Sequence, residues 1–137
     1  MENQNELLTE LLRLEQRNCT ELLEIERLTK ELADTLSRND RDSVQLLLGM
    51  RQSEMEKAGE TKRKIYAILE AVDSKERERL AALLNGEDPK GSDKDQEVAQ
   101  RIVSVSRQMK SVLERTIDID KVLSRKLAGK DSFYENQ

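Results

Sequence analysis

The sequence predicts an all-α fold: an elongated antiparallel three-helix bundle or long coiled coil, with a short extra helix and a mobile loop. Three observations lead there. Apolar residues recur at alternating steps of four and three, most clearly in Val98, Ile102, Val105, Met109, Val112, Thr116, Ile119 and Leu123. That spacing puts them on one helical face that another helix must cover. Aromatic residues are 2% of the chain, against 36% hydrophobic and 38% charged. Narrow stripes of Leu, Ile, Val and Met on paired helices suit these proportions better than a rounded core filled by large rings. Finally, Gly86, Pro89 and Gly91 fall together in one short segment and punctuate an otherwise helical pattern.

The first helix is expected over about residues 4–38. Leu7, Leu11, Leu14, Leu22, Ile25, Leu28, Leu32 and Leu36 share a face, which Leu8, Leu12 and Leu23 widen. Leu14, Ile25 and Leu36 are eleven residues apart, closer to the pitch of a straight helix than to a tight left-handed supercoil. Asn18 and Thr29 interrupt the stripe. The polar run Ser37 to Asp42 is the first turn, and Asn39, Asp40, Asp42 and Ser43 are all suited to capping a new helix.

A second helix is expected over about residues 43–72, with a seam of Val44, Leu48, Met55, Ala58, Ile65, Leu69 and Val72. Gly49 and Gly59 lie inside it, each costing about 1 kcal/mol relative to Ala. They mark either local softness or a close approach of helices. Asp73 and Glu76 have capping-box spacing, so the chain stops and restarts as a short helix over about residues 75–84, carrying Leu80, Leu83 and Leu84; a continuous second helix is the open alternative. Residues 85–93 form the mobile loop. The last helix is expected over about residues 95–128, ending at Gly129 with Arg125, Lys126 and Lys130 near its negative end. Residues 1–130 thus make one helical domain. Residues 131–137, with Phe133 and Tyr134 outside any stripe, make a flexible tail.

Catalytic and metal-binding chemistry lacks its usual equipment. There is no His, no Trp and a single Cys, Cys19, which has no partner for an internal disulfide. Glu6 with Glu10, and Glu114 with Asp118, have i,i+4 spacing, but without His they make no di-metal bundle site. Asp88, Asp93 and Asp95 do not follow the ligand ladder of a calcium loop, and no Gly-rich loop cradles phosphate. The expectation is a chain that is not an enzyme, with no metal and no cofactor.

Charge is unevenly spread within a net −4. Residues 1–40 carry five basic and ten acidic groups, whereas residues 94–130 carry nine basic and five acidic. Side-by-side packing of the first and last helices would set complementary fields together. With no aromatics interleaved among the basic residues, nucleic acid is not an expected partner. No apolar run reaches the ~18 residues of a membrane span, and Met1 to Glu10 has no apolar targeting core, so a cytoplasmic protein is expected.

The order of segments resembles the flagellar export chaperones of the FlgN type. The resemblance is carried by the Leu/Glu-rich first helix ELLRLEQRNCTELLEIERLTKELADTL, the polar turn RNDRDSV, the charged-centre helix LLLGMRQSEMEKAGETKRKIYAIL and the amphipathic IVSVSRQMKSVLERTIDIDKVLSRKL. It implies a small acidic cytoplasmic protein that binds the C-terminal helical regions of hook-filament junction proteins, prevents their premature assembly and delivers them to the export apparatus. In such proteins binding is associated with the C-terminal helical part. Here that corresponds to Ile102, Val105, Met109, Val112, Ile119 and Leu123, with Phe133 and Tyr134 in the tail. The alternative is a coiled-coil scaffold or adaptor that self-assembles into homo-oligomers through the same stripes.

Overall fold

A computed structural model describes the backbone of residues 2–91 and 96–135, and the side chains of residues 5–91 and 96–128. The chain folds into four helices, α1 (Glu2–Ser37), α2 (Arg41–Ala71), α3 (Ser74–Leu84) and α4 (Gln96–Glu135), with no strand among the described residues. The all-α bundle expected from the apolar periodicity is therefore what forms. At 1.5 Å per residue α1 is about 50 Å long and serves as the spine, with α2 and α4 both packed along it.

Pairings across the bundle fix its directions. Glu15 with Ser106, Glu26 with Arg115 and Ser37 with Lys126 advance together, so α1 and α4 run parallel. On the other side, Leu36 clusters with Leu47, Glu21 pairs with Thr61 and Leu11 clusters with Ile65, so α2 runs antiparallel to both. The acidic α1 and the basic α4 are neighbours, as their charges suggested.

Each reversal has a local cause. Asn39 takes a left-handed conformation (φ 59°) after α1, with Asn39 N–H donating to the Leu36 carbonyl and Asp40 N–H to that of Thr35. Asp40 then caps α2, its carboxylate accepting from Ser43 N–H at 3.2 Å. The break after α2 is real: Val72 is extended and Asp73 caps α3 by accepting from Glu76 N–H at 2.8 Å. Arg77 reaches back from α3 to the carbonyls of Leu69, Glu70 and Val72, filling acceptors that the end of α2 leaves open.

The helix α3 ends in a Schellman cap at Gly86 (φ 86°), with Gly86 N–H on the Leu83 carbonyl and Glu87 N–H on that of Ala82. A Cβ at Gly86 would also meet Arg107 Cγ at 3.1 Å. Gly86→Ala is therefore expected to destabilise the chain by about 1 kcal/mol or more, read as a lowered urea midpoint.

Two boundaries differ from expectation. The start of the expected mobile loop is tied to α4: Arg107 donates to the Gly86 carbonyl at 2.9 Å and pairs with Asp88, and Lys110 donates to both oxygens of Asn85. Residues 92–95 lie outside the described residues. The last helix also runs through Gly129 to Glu135, rather than stopping at Ala128. One glycine costs a helix only about 1 kcal/mol and does not break it alone. The side chains of Phe133 and Tyr134, and residues 136–137, lie outside the described set.

The core is split in two along the bundle. Near the start of α1, Leu8, Leu11, Leu12 and Leu14 meet Ile65, Leu80, Leu83, Ala99, Ile102 and Val103. Near its end, Leu28, Leu32 and Leu36 meet Leu47 and Leu123. In the first cluster α3 lies between α2 and α4, at the corner diagonal to α1, and so acts as a short fourth helix. Beyond Leu84 that fourth corner is vacant.

Candidate functional site

The seam of α1 that faces the vacant corner reads Leu8, Leu11, Glu15, Asn18, Leu22, Ile25, Thr29, Leu32 and Leu36, in strict steps of three and four. It is apolar except at Glu15, Asn18 and Thr29. Along this stretch the other helices offer small residues, Ser106 of α4 at Glu15 and Ala58 and Gly59 of α2 nearer Leu22 and Ile25. Small side chains cannot fill the space between three helices, and α2 and α4 do not close on each other anywhere among the described residues. The result is a groove of about 410 Å³.

Its floor is Glu15, Asn18, Leu22 and Ile25. Its walls are Met55, Ala58, Gly59, Lys62, Ile65 and Tyr66 from α2, and Ser106, Met109, Lys110 and Leu113 from α4. The last leucine of α3, Leu84, closes one end. Beyond the other end an Arg51–Asp120 ion pair at 2.8 Å bridges α2 to α4. Met55, Tyr66 and Leu113 are 45%, 50% and 46% exposed, large apolar groups held at the lip of a hollow instead of inside a core. Leu48, two turns from Met55, and Ile117, one turn from Leu113, extend the two lips.

Two buried carboxylates are shifted in opposite directions, Glu15 in the groove and Glu26 outside its lining. Burial pushes the Glu15 carboxyl above its ordinary range, opposed by the hydroxyl of Ser106, which donates to Glu15 Oε2 at 2.5 Å, and by the nearby Lys62. Glu26 goes the other way: Arg115 donates to it at 2.8 Å and holds its carboxyl below the usual range. Signs follow from linkage. Glu15 favours folding at pH values below the ordinary carboxylate range, and that contribution is lost as pH rises through its raised folded-state value. Glu26 supports the fold above the ordinary range and loses that support on acidification. Glu15→Gln is therefore expected to be more stable than the natural chain at pH 7, with the difference closing as pH falls below the ordinary carboxylate range, measured by urea unfolding across pH.

The residues singled out from the sequence are divided by the structure. Ile102, Val112 and Leu123 are 0%, 1% and 2% exposed, so this part of the α4 stripe is core and not a free surface. Val105 is half-buried against the first core cluster, and Ile119 is half-buried. Among the described side chains of the set, Met109 alone lines the groove. The α2 stripe is also offset: Leu47, Thr61 and Ile65 are buried, while Leu48 and Met55 stand exposed. Gly59 mediates no close approach, since a Cβ there would meet only Arg63 Nη1 at 4.0 Å.

The signal for the groove was present but not separable from noise. Asn18 and Thr29 both interrupt the α1 stripe, yet Thr29 is fully buried with its hydroxyl bonded back to the Ile25 carbonyl, whereas Asn18 sits on the groove floor. Ser106 and Lys62 gave no sign of a site by themselves.

Other candidates offer less. A shallower hollow of about 530 Å³ between α1 and α2, edged by Leu28, Leu46 and Met50, lies on a different side of α2. Cys19 is buried, and burial raises its thiol pKa, which keeps it unreactive. Among the described residues no three His, Cys, Asp or Glu gather to hold a metal, and no helix is long and apolar enough to cross a membrane.

Comparisons of the chain with protein-family models, curated proteins and solved structures find no match. The functional reading therefore rests on the groove.

Proposed function

We propose that the chain is a cytoplasmic helix-capture module, and most concretely an export chaperone of the FlgN type. The observation that carries the reading is the vacant fourth corner: α3 fills it for three turns, and beyond Leu84 the same corner is an open, apolar-lipped groove. Helix-in-groove recognition lays the apolar face of an amphipathic helix into such a hollow. Between Glu15 and Ile25 the floor is about 15 Å long, enough for about three turns of a docked helix. Met55 lines the α2 wall and Met109 the α4 wall, and flexible thioethers adapt to side chains of differing shape.

The segment order shared with FlgN-type chaperones supports one client class, the C-terminal helical regions of hook-filament junction proteins. Covering the apolar stripe of such a helix would stop it pairing with its own kind before export. The groove differs from the surface first expected, because it is built by α2 and α1 as much as by α4.

Native mass spectrometry of the purified chain, alone and with a C-terminal fragment of a hook-filament junction protein from the same organism, tests the reading. A discrete new complex is expected. A stable homo-oligomer that is unchanged by the fragment would replace the chaperone with a self-assembling scaffold.

A further inference from the structure

The groove is mostly apolar, but the end of its floor nearest α3 is polar, and that contrast restricts what can fill it. Glu15 and Asn18 occupy consecutive positions of the α1 seam and are only 4% and 5% exposed. Ser106 satisfies Glu15 Oε2. Glu15 Oε1 and the side-chain amide of Asn18 have no hydrogen-bond partner among the described residues, and both side chains line the groove. Lys62 stands on the α2 wall, near enough to act on the Glu15 carboxylate. Lys110, on the α4 wall, is engaged by Asn85.

An all-aliphatic helix seated here would seal these polar atoms away from water without replacing their hydrogen bonds, and each such loss weakens binding. An acidic side chain would oppose Glu15. A basic one would oppose Lys62 and Lys110. A neutral group that both donates and accepts meets the floor without conflict, and a carboxamide does so. Because α1 lies diagonal to the vacant corner, the side chain must be long enough to reach across the bundle, which favours glutamine over asparagine.

Resting on the helix-capture reading, we infer that the groove selects a partner helix with one glutamine in its apolar stripe, at the end that lies nearest α3. Its amide N–H2 donates to Glu15 Oε1, and its amide oxygen accepts from Asn18 or Lys62. A polar residue in a helical seam sets register and partner choice in this way, at some cost in raw affinity.

Two synthetic helical peptides that share one leucine stripe and differ only in a single Gln or Leu within it provide the test. Each is titrated calorimetrically into the natural chain and into the Glu15→Leu, Asn18→Leu double variant, whose helix content is checked by circular dichroism. The natural chain is expected to bind the Gln peptide about tenfold more tightly or better, and the double variant to prefer the Leu peptide. Equal binding of the two peptides by the natural chain, or preference for Leu, overturns the inference and leaves helix capture standing. Binding of neither peptide overturns the helix-capture reading and the inference with it. If the double variant fails to fold, the comparison in the natural chain still decides.

Discussion

Ile102→Ala is expected to lower stability by about 2–5 kcal/mol, whereas Met109→Ala, seven residues along the same helix, costs less than about 1 kcal/mol. Both residues belong to one apolar stripe in the sequence, and only their partners distinguish them. Ile102 is fully enclosed by the first core cluster, among leucines of α1 and α3, so truncation leaves a void that close packing cannot collapse. Met109 borders a hollow that already meets solvent, so shortening it creates no new enclosed cavity. Urea unfolding of the two variants checks the contrast. Similar costs at both positions would mean that α2 and α4 close together in solution and the groove does not exist.

The second large effect is on binding. Gly59→Trp is expected to weaken client binding by about a hundredfold or more while leaving stability equal or higher. A helical interior glycine costs about 1 kcal/mol relative to Ala, and the space above Gly59 is empty up to the tip of Arg63, so a side chain can be added without a clash. An indole there occupies the volume that a docked helix needs. Gly59→Ala is the matched control: it raises stability by about 1 kcal/mol and leaves binding close to that of the natural chain. Calorimetric titration with the client fragment, alongside thermal unfolding, separates the two. Unchanged binding by Gly59→Trp would place the client elsewhere on the molecule.

The helices and their ends were legible because each is written in local chemistry. Asp40 and Asp73 cap because their short carboxylates reach the backbone N–H three residues on, and Gly86 ends α3 because it tolerates a positive φ. The opposite charges of α1 and α4 suit their adjacency, but the packing order of the helices was not legible in the sequence. What periodicity cannot supply is the partner of each face. On α2, Leu47 beside Leu48 and Thr61 beside Lys62 leave two registers open, and the seam through Leu48 and Met55 belongs to the lip of the groove. On α4, the stripe from Ile102 to Leu123 is apolar because it is core, so it marked the bundle and not the site. The groove arises where polar and small residues from three distant segments, Glu15 and Asn18, Ala58 and Gly59, and Ser106, come to line one stretch of the bundle. No single segment carries that coincidence.

The four methionines provide the most direct measurement of whether the vacant corner is the binding site. Met55 and Met109 both line the groove, on its α2 and α4 walls, while Met50 borders the separate hollow between α1 and α2 and serves as an internal reference. With methyl-labelled methionine, NMR titration with a C-terminal fragment of a hook-filament junction protein is expected to shift the Met55 and Met109 signals together and to leave Met50 unmoved. Shifts at Met50 with Met55 and Met109 unchanged, or no shift at any of the three, would contradict capture of a helix in this groove.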